Sequence, residues 1–196
     1  MSDARRPSSG QAALLRGSVE EKRGPDPAVW RCFGGAQLEI TEADMSKTAE
    51  KLYLEDLTVG QTFRSAPQPV TAEGIIRFAA QFDPQPFHLD ERQAQETFFQ
   101  GLAASGWHTA SMAMRLLVDS VPLAGGVIGT VVEELRWLKP VRPGDALGLE
   151  SEVLEIQPGN RPRGLVKLRA VSVNQHGEVV QVLTATLLVS KRPDMH

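Results

Sequence analysis

From about residue 50 onward the chain alternates between helical and extended spacing of its apolar residues; before that point it shows little of either. Residues 52–63 read as a turn feeding a short strand, with Gly60 as the pivot. Thr71 stands where an N-cap belongs, and Glu73 complements the helix dipole in the first turn. Ala72, Ile75, Ile76, Ala79 and Ala80 follow at helical spacing, with Phe82 at the end. Pro84 stops this helix, because the residue before a proline is pushed out of the α region, and Asp83 is expected to stand extended at the exit. Residues 91–97 predict a second short helix, and Gly101 breaks the chain again. The strongest helical signal covers 105–118. Ser105 is its natural N-cap, and Ala110, Met114, Leu117 and Val121 form one stripe. Ala113, Leu116 and Val118 make the other faces apolar too, leaving Arg115 and Asp119 as the only charges, so this helix is expected to be buried on nearly all sides.

After Gly125 the spacing becomes extended. Residues 127–138 are rich in β-branched and aromatic side chains, and a Pro/Gly turn at 140–145 leads into 146–156. Pro158-Gly159-Asn160 leads to 164–173, where Val166, Leu168 and Ala170 alternate with Lys167 and Arg169. Asn174-Gln175-His176-Gly177 is a hairpin turn into a final strand, 178–190. Four long strands joined by turns predict an antiparallel sheet, which the apolar helix needs as its cover. Residues 1–46 differ in texture. They are read as a disordered N-terminal extension, with Met45 as an alternative true start, and 47–196 as a single domain.

Composition narrows the partners. A hydrophobic fraction of 41% and a charged fraction of 23% are those of a soluble globular protein. The net charge of −3 and pI near 5.8 give no basic footprint for nucleic acid. The single cysteine, Cys32, forms neither an internal disulfide nor a thiolate metal site. No apolar run approaches the length of a membrane span, and the expected compartment is the cytoplasm.

The chemistry concentrates between Phe78 and His108. Asp83 precedes His88 by five residues on a loop stiffened by Pro84 and Pro86, and Ser105-Gly106 then opens the apolar helix. Five of the seven phenylalanines (Phe78, Phe82, Phe87, Phe98, Phe99) lie in the same stretch, which sets the polar pair in apolar surroundings. A carboxylate and an imidazole on one stiff loop can address one water and one carbon-bound proton, an acid–base contribution of roughly 10²–10⁴-fold. Gly106 offers an N–H at the positive end of a helix dipole with no side chain in the way. Taken singly, Asp83 is an ordinary turn aspartate and His88 an ordinary loop histidine; together they form a candidate site. Asp90 and Glu91 are read as solvated caps of the following helix, and His108 as a satisfied structural histidine. Trp107 is read as pocket wall or core. His176 and His196 receive no role, and a metal site built from Asp83, His88 and His108 lacks a familiar ligand spacing.

The segment Asp83-Pro84-Gln85-Pro86-Phe87-His88-Leu89-Asp90, followed by Gly106, resembles the Asp-x-Asn-Pro-x-His-x-Asp motif of the MaoC-like dehydratases and (R)-specific enoyl-CoA hydratases. Gln85 stands where that family more often has Asn. The resemblance covers roughly residues 50–190 in element order. It implies an α+β hotdog fold, a curved antiparallel sheet wrapped around a central apolar helix. It also implies catalytic roles for Asp83 and His88, an oxyanion donor in the Gly106 N–H and an acyl-CoA thioester as substrate; a sheet around one helix leaves an edge strand and an apolar face that a homodimer would cover, and a non-redox reaction calls for no cofactor. Lys139 and Arg142, or Arg161 and Arg163, are candidates to meet coenzyme A phosphates, although charged turns are usually just solvated. Two other readings stand beside hydration: a non-catalytic acyl-CoA-binding dimer, and a hotdog thioesterase. The second usually wants a carboxylate on the central helix, and 105–118 carries none.

Overall fold

The N-cap at Thr71 forms as the spacing predicts. Its hydroxyl accepts the Gly74 N–H at 3.1 Å and starts helix α1, Ala72–Phe82, which buries Ile75 and Ala79. The computed structural model describes residues 50–159 and 162–193, so both readings of 1–46, the disordered extension and the start at Met45, lie outside the described residues. Ahead of α1 come a 3-10 turn at Leu54–Asp56 and two short strands, β1 (Thr62–Arg64) and β2 (Gln68–Pro69). Gly60 takes a φ of 85° before β1, the left-handed conformation that a glycine pivot permits. After α1 follow α2 (Pro86–Leu89), α3 (Glu91–Gln95) and α4 (Gly106–Ser120), then β3 (Ile128–Trp137), β4 (Ala146–Gln157), β5 (Arg163–Val173) and β6 (Val179–Ser190).

The strands form one six-stranded sheet in the order β1-β4-β5-β6-β3, with β2 also pairing β4, and every ladder is antiparallel. The β5–β6 hairpin closes through Asn174–Gly177, where the Asn174 N–H donates to Glu178 O at 3.0 Å and Gly177 supplies a φ of 75°. Period-2 alternation sends Leu147, Leu149 and Val153 of β4, and Val166, Leu168 and Ala170 of β5, to one face. There they meet Ala113, Leu116 and Leu117 of α4 and Ile75 of α1 in a single core. Each such Val or Leu taken out of water stabilises by about 1.5–3 kcal/mol before entropy is counted. A long helix packed on one face of an antiparallel sheet is the expected hotdog arrangement.

Three expectations need correction. Helix α4 is not buried all round: it buries Thr109, Ala113, Leu116 and Leu117, while Met114 is 43% and Val118 48% exposed. The sheet covers only one side of a cylinder, so the apolar residues on the far side remain at the surface. The loop stiffened by Pro84 and Pro86 contains a helical turn, Pro86–Leu89, because Pro86 at N1 carries the φ that a helix start requires. Helix α3 ends at Gln95, short of residue 97, and the Thr97 hydroxyl turns back to donate to Ala94 O at 2.8 Å. No helix among the described residues is long and apolar enough to cross a membrane.

Candidate active site

Asp83 leaves α1 at φ −151° and ψ 67°, its N–H still donating to Ala79 O at 2.9 Å, as a residue before proline must once the helix has stopped. The chain turns at once: the Gln85 N–H donates to Asp83 O and the His88 N–H to Gln85 O, at 2.8 and 2.9 Å. This turn folds the five-residue spacing back on itself and brings His88 Nε2 to 3.4 Å from Asp83 Oδ2. His88 is only 4% exposed.

Each member of the pair is fixed from behind. Asp83 Oδ1 accepts from Gln85 Nε2 at 2.7 Å, and Oδ2 accepts from Ser105 Oγ at 2.6 Å. Gln85, the departure from the family motif, therefore holds the carboxylate itself. His88 Nδ1 lies 2.7 Å from the Ala103 carbonyl. A carbonyl only accepts, so Nδ1 carries the hydrogen, and in the neutral ring Nε2 presents a lone pair toward Asp83. Two acceptors facing each other at 3.4 Å do not bond directly; they are arranged to share a proton or a water. Burial raises the Asp83 pKa, but the hydrogen bonds from Ser105 and Gln85, joined by the positive charge of His88 whenever that ring is protonated, outweigh it. The carboxyl is held below its ordinary range and stays ionised at neutral pH.

The aromatic surroundings are those expected, with two exceptions. Phe87 meets the His88 ring edge-on at 4.5 Å and Phe99 lies 6.0 Å away, while Phe78 and Phe82 pack together on α1 at 5.0 Å. Phe98 is 94% and Phe82 64% exposed, so neither encloses the pair.

Ser105 caps α4, accepting the Trp107 N–H at 3.2 Å while donating to Asp83. One hydroxyl thus ties the helix start to the carboxylate. Gly106 follows as the first residue of α4, where a backbone N–H has no carbonyl one turn back to donate to. A Cβ there would lie 2.8 Å from Trp137 Cε2, so Gly106 is also required by packing, a reason the sequence did not reveal. Trp107 meets Trp137 edge-on at 5.4 Å but is exposed, and so is neither core nor an enclosed wall.

Other expectations divide. Asp90 caps α3 as anticipated, accepting the Gln93 N–H at 2.8 Å. Glu91 is exposed in the first turn of α3, and it also accepts the Leu102 N–H at 3.2 Å and Gln95 Nε2 at 3.0 Å. Arg142 donates to the carbonyls of Phe99 and Leu102, bracing the segment that presents Ala103 O to His88, and Lys139 pairs with Glu178. Neither is the unattached cation that a phosphate site calls for. His108 is not satisfied, since its Nδ1 is buried without a partner. Among the described residues no group of three or more His, Cys, Asp or Glu could hold a metal ion.

Comparison with known proteins gives this geometry a context. Residues 55–174 match the family model described as MaoC like domain, a span that includes Asp83, His88, Ser105 and Gly106. The chain is 33% identical over 111 residues to the 3-hydroxybutyryl-CoA dehydratase of Methylorubrum extorquens, covering 56% of this chain and 69% of that protein. It is 34% identical over 123 residues to the uncharacterized protein YdeM of Bacillus subtilis, covering 62% of this chain and 87% of that one. The crystal structure of a MaoC-like dehydratase from Rhodospirillum rubrum superimposes with a TM-score of 0.70 at 54% identity, over 72% of this chain and 99% of that one. With the family model spanning both the helices that carry the Asp–His pair and most of the sheet behind them, the chain belongs to the MaoC-like dehydratase family.

Proposed function

We propose that the protein catalyses the reversible addition of water to a 2-enoyl-CoA thioester. One observation carries this reading: Asp83 Oδ2 and His88 Nε2 face each other at 3.4 Å, with every other polar atom of both side chains already bonded. A water held between them loses a proton to one of the two as its oxygen attacks the β-carbon. A proton is then delivered to the α-carbon, so that the double bond is exchanged for one C–O and one C–H bond. Charge that builds on the thioester oxygen meanwhile is met by the Gly106 N–H at the positive end of α4, a kind of contact worth on the order of 3 kcal/mol in such reactions. The similarity to a 3-hydroxybutyryl-CoA dehydratase supports the thioester substrate. No step calls for a redox cofactor, because the thioester itself activates the double bond.

In this reading the working unit is a cytoplasmic homodimer. Strand β3 lies at the edge of the sheet and exposes Val131 and Val132, at 52% and 60%, and the outer face of α4 exposes Met114 and Val118. Apolar surface and an open strand edge on one molecule are met most simply by a second copy. The thioesterase alternative lacks support: the one carboxylate on α4, Asp119, sits in its last turn and pairs with Arg115 at 2.7 Å.

The test is to mix the purified protein with a short enoyl-CoA and follow the ultraviolet absorbance of the conjugated thioester. The expected result is loss of absorbance with wild type and none with Asp83→Asn. Saturable binding with no loss at any chain length would replace hydration by a binding function.

A further inference from the structure

Both members of the Asp83–His88 pair lean on one strap, Gly101–Ser105, every residue of which is buried. The Ala103 carbonyl meets His88 Nδ1 at 2.7 Å, and the Ser105 hydroxyl donates to Asp83 Oδ2 at 2.6 Å. The strap belongs to no helix or strand, so it is anchored residue by residue. The Ala103 N–H donates to Phe87 O at 3.2 Å, beside His88, and the Ala104 N–H donates to Val141 O at 2.8 Å. Leu102 is held from both sides: Glu91 Oε2 accepts its N–H at 3.2 Å, and Arg142 Nη1 lies 3.5 Å from its carbonyl. The other arm of the guanidinium, Nη2, donates to Phe99 O.

The bend that leads into the strap needs such a grip. Gln100 has a φ of 50° and Gly101 a φ of 143°, a region that side chains disfavour, yet only the second residue is a glycine. A backbone of this kind persists where its surroundings over-determine it. The Arg142 fork spans the bend, with Phe99 O on one side of it and Leu102 O on the other. A Cβ on Gly101 would lie 3.1 Å from Arg142 Nη1 and 3.6 Å from Glu91 Oε1, so this glycine also leaves room for the clamp. Arg142 is itself fixed, because its N–H donates to Asp145 Oδ2 at 2.8 Å and its carbonyl accepts the Asp145 N–H at 3.1 Å. A lysine ammonium, a point charge on a flexible stem, lacks the planar fork that reaches two carbonyls at once.

We infer that Arg142 is a positioning residue for the acid–base pair: by gripping the bend at 99–102 it fixes the strap, and through the strap the placement of His88 Nε2 against Asp83 Oδ2. It touches neither side chain. Its effect on turnover rests on the hydratase reading, whereas its effect on the His88 ring does not. A strap that retreats by about 1 Å takes the Ala103 carbonyl out of hydrogen-bond range of Nδ1. The ring then loses the bond that keeps the hydrogen on Nδ1 and the lone pair of Nε2 toward Asp83. Misplacement by about 1 Å from a change remote from the chemistry can cost on the order of a hundredfold in rate.

The experiment compares wild type with Arg142→Met, which keeps the aliphatic stem and removes the fork. Arg192→Met is the control, since Arg192 pairs with Asp56 and contacts none of the strap. Steady-state kinetics on a short enoyl-CoA are measured alongside NMR of protein with ¹⁵N-labelled imidazoles, the His88 Nδ1 proton being identified by its absence in His88→Ala. Arg142→Met is expected to lower kcat at least tenfold with KM within threefold of wild type, and to lose the slowly exchanging His88 Nδ1 proton. Arg192→Met is expected to keep both kcat and that proton. Should Arg142→Met not fold, Arg142→Lys is read in the same way, with a loss in kcat of at least threefold. A smaller loss, a loss carried by KM, an Nδ1 proton that survives, or the same changes in Arg192→Met overturns the inference and leaves hydration standing. Absence of turnover in wild type would instead sink the hydratase reading. The imidazole proton then decides alone: its loss in Arg142→Met keeps the positioning role, and its survival removes it.

Discussion

Both oxygens of Asp83 are engaged by neighbours, Oδ1 by Gln85 and Oδ2 by Ser105, and that is what aims the carboxylate at His88 Nε2. Asp83→Asn and His88→Ala are each expected to lower the hydration rate by at least about a hundredfold. Circular dichroism spectra should show the fold retained, since both side chains sit on the turn after α1 and not between α4 and the sheet; near-normal initial rates in either variant would refute the assignment. Ser105→Ala removes one of the bonds that hold Asp83 below its usual range, so the carboxyl should titrate at higher pH in a carbonyl-detected NMR titration. The sign for stability follows from the same depression. A carboxyl whose folded pKa is lowered contributes stability above its unfolded pKa, and this is lost as pH falls through the folded value. Wild type should therefore lose more stability than Asp83→Asn on acidification below about pH 4, as followed by denaturant midpoints. His108 obeys the same rule because burial, and after it the nearby charge of Arg77, lower its pKa too: its contribution is full above the unfolded value of about 6.5 and is lost as pH falls through the lower folded value. Relative to His108→Phe, wild type should thus weaken in mildly acidic solution, and parallel midpoint-versus-pH curves would contradict a buried neutral ring.

At the level of the element, α4 does two jobs through its first two positions. Ser105 caps the helix and holds the carboxylate, while Gly106 lets Trp137 lie against the helix start. A methyl added at Gly106 would have to displace the Trp137 ring from 2.8 Å. Gly106→Ala is expected to cut kcat by tenfold or more with a smaller change in KM, since it disturbs the proposed oxyanion donor rather than substrate affinity; wild-type kinetics would remove Gly106 from the site. Thr71→Ala, which takes away only the cap of α1, should cost about 1 kcal/mol in chemical denaturation and leave activity near normal. Much at this scale was legible in advance. Caps, prolines and period-2 alternation act over a few residues, so α1, α4 and the four long strands were predicted within a few positions of where they stand. The two-residue β2 carries too short a pattern to read, and the turn at α2 was hidden by prolines that usually mark loops.

For the whole molecule, the exposed apolar face of α4 and the open edge of β3 argue for assembly. Sedimentation velocity should find a dimer. Val131→Asp together with Val132→Lys on the edge strand should shift it toward monomer, and a wild-type monomer at micromolar concentration would exclude the assembly. By itself the sequence determined the element order, the pairing of an apolar helix with an antiparallel sheet, and the candidates Asp83, His88 and Gly106, because each is written in local spacing or a short motif. What the sequence left open was decided by contacts between distant residues: the Ser105 bond to Asp83 across 22 positions, the Ala103 carbonyl behind His88, and Trp137 over Gly106. The same holds for burial. Which side of α4 would be covered, and whether the His108 nitrogen would find a partner, depended on where the sheet and α1 came to lie, and no local pattern encodes that.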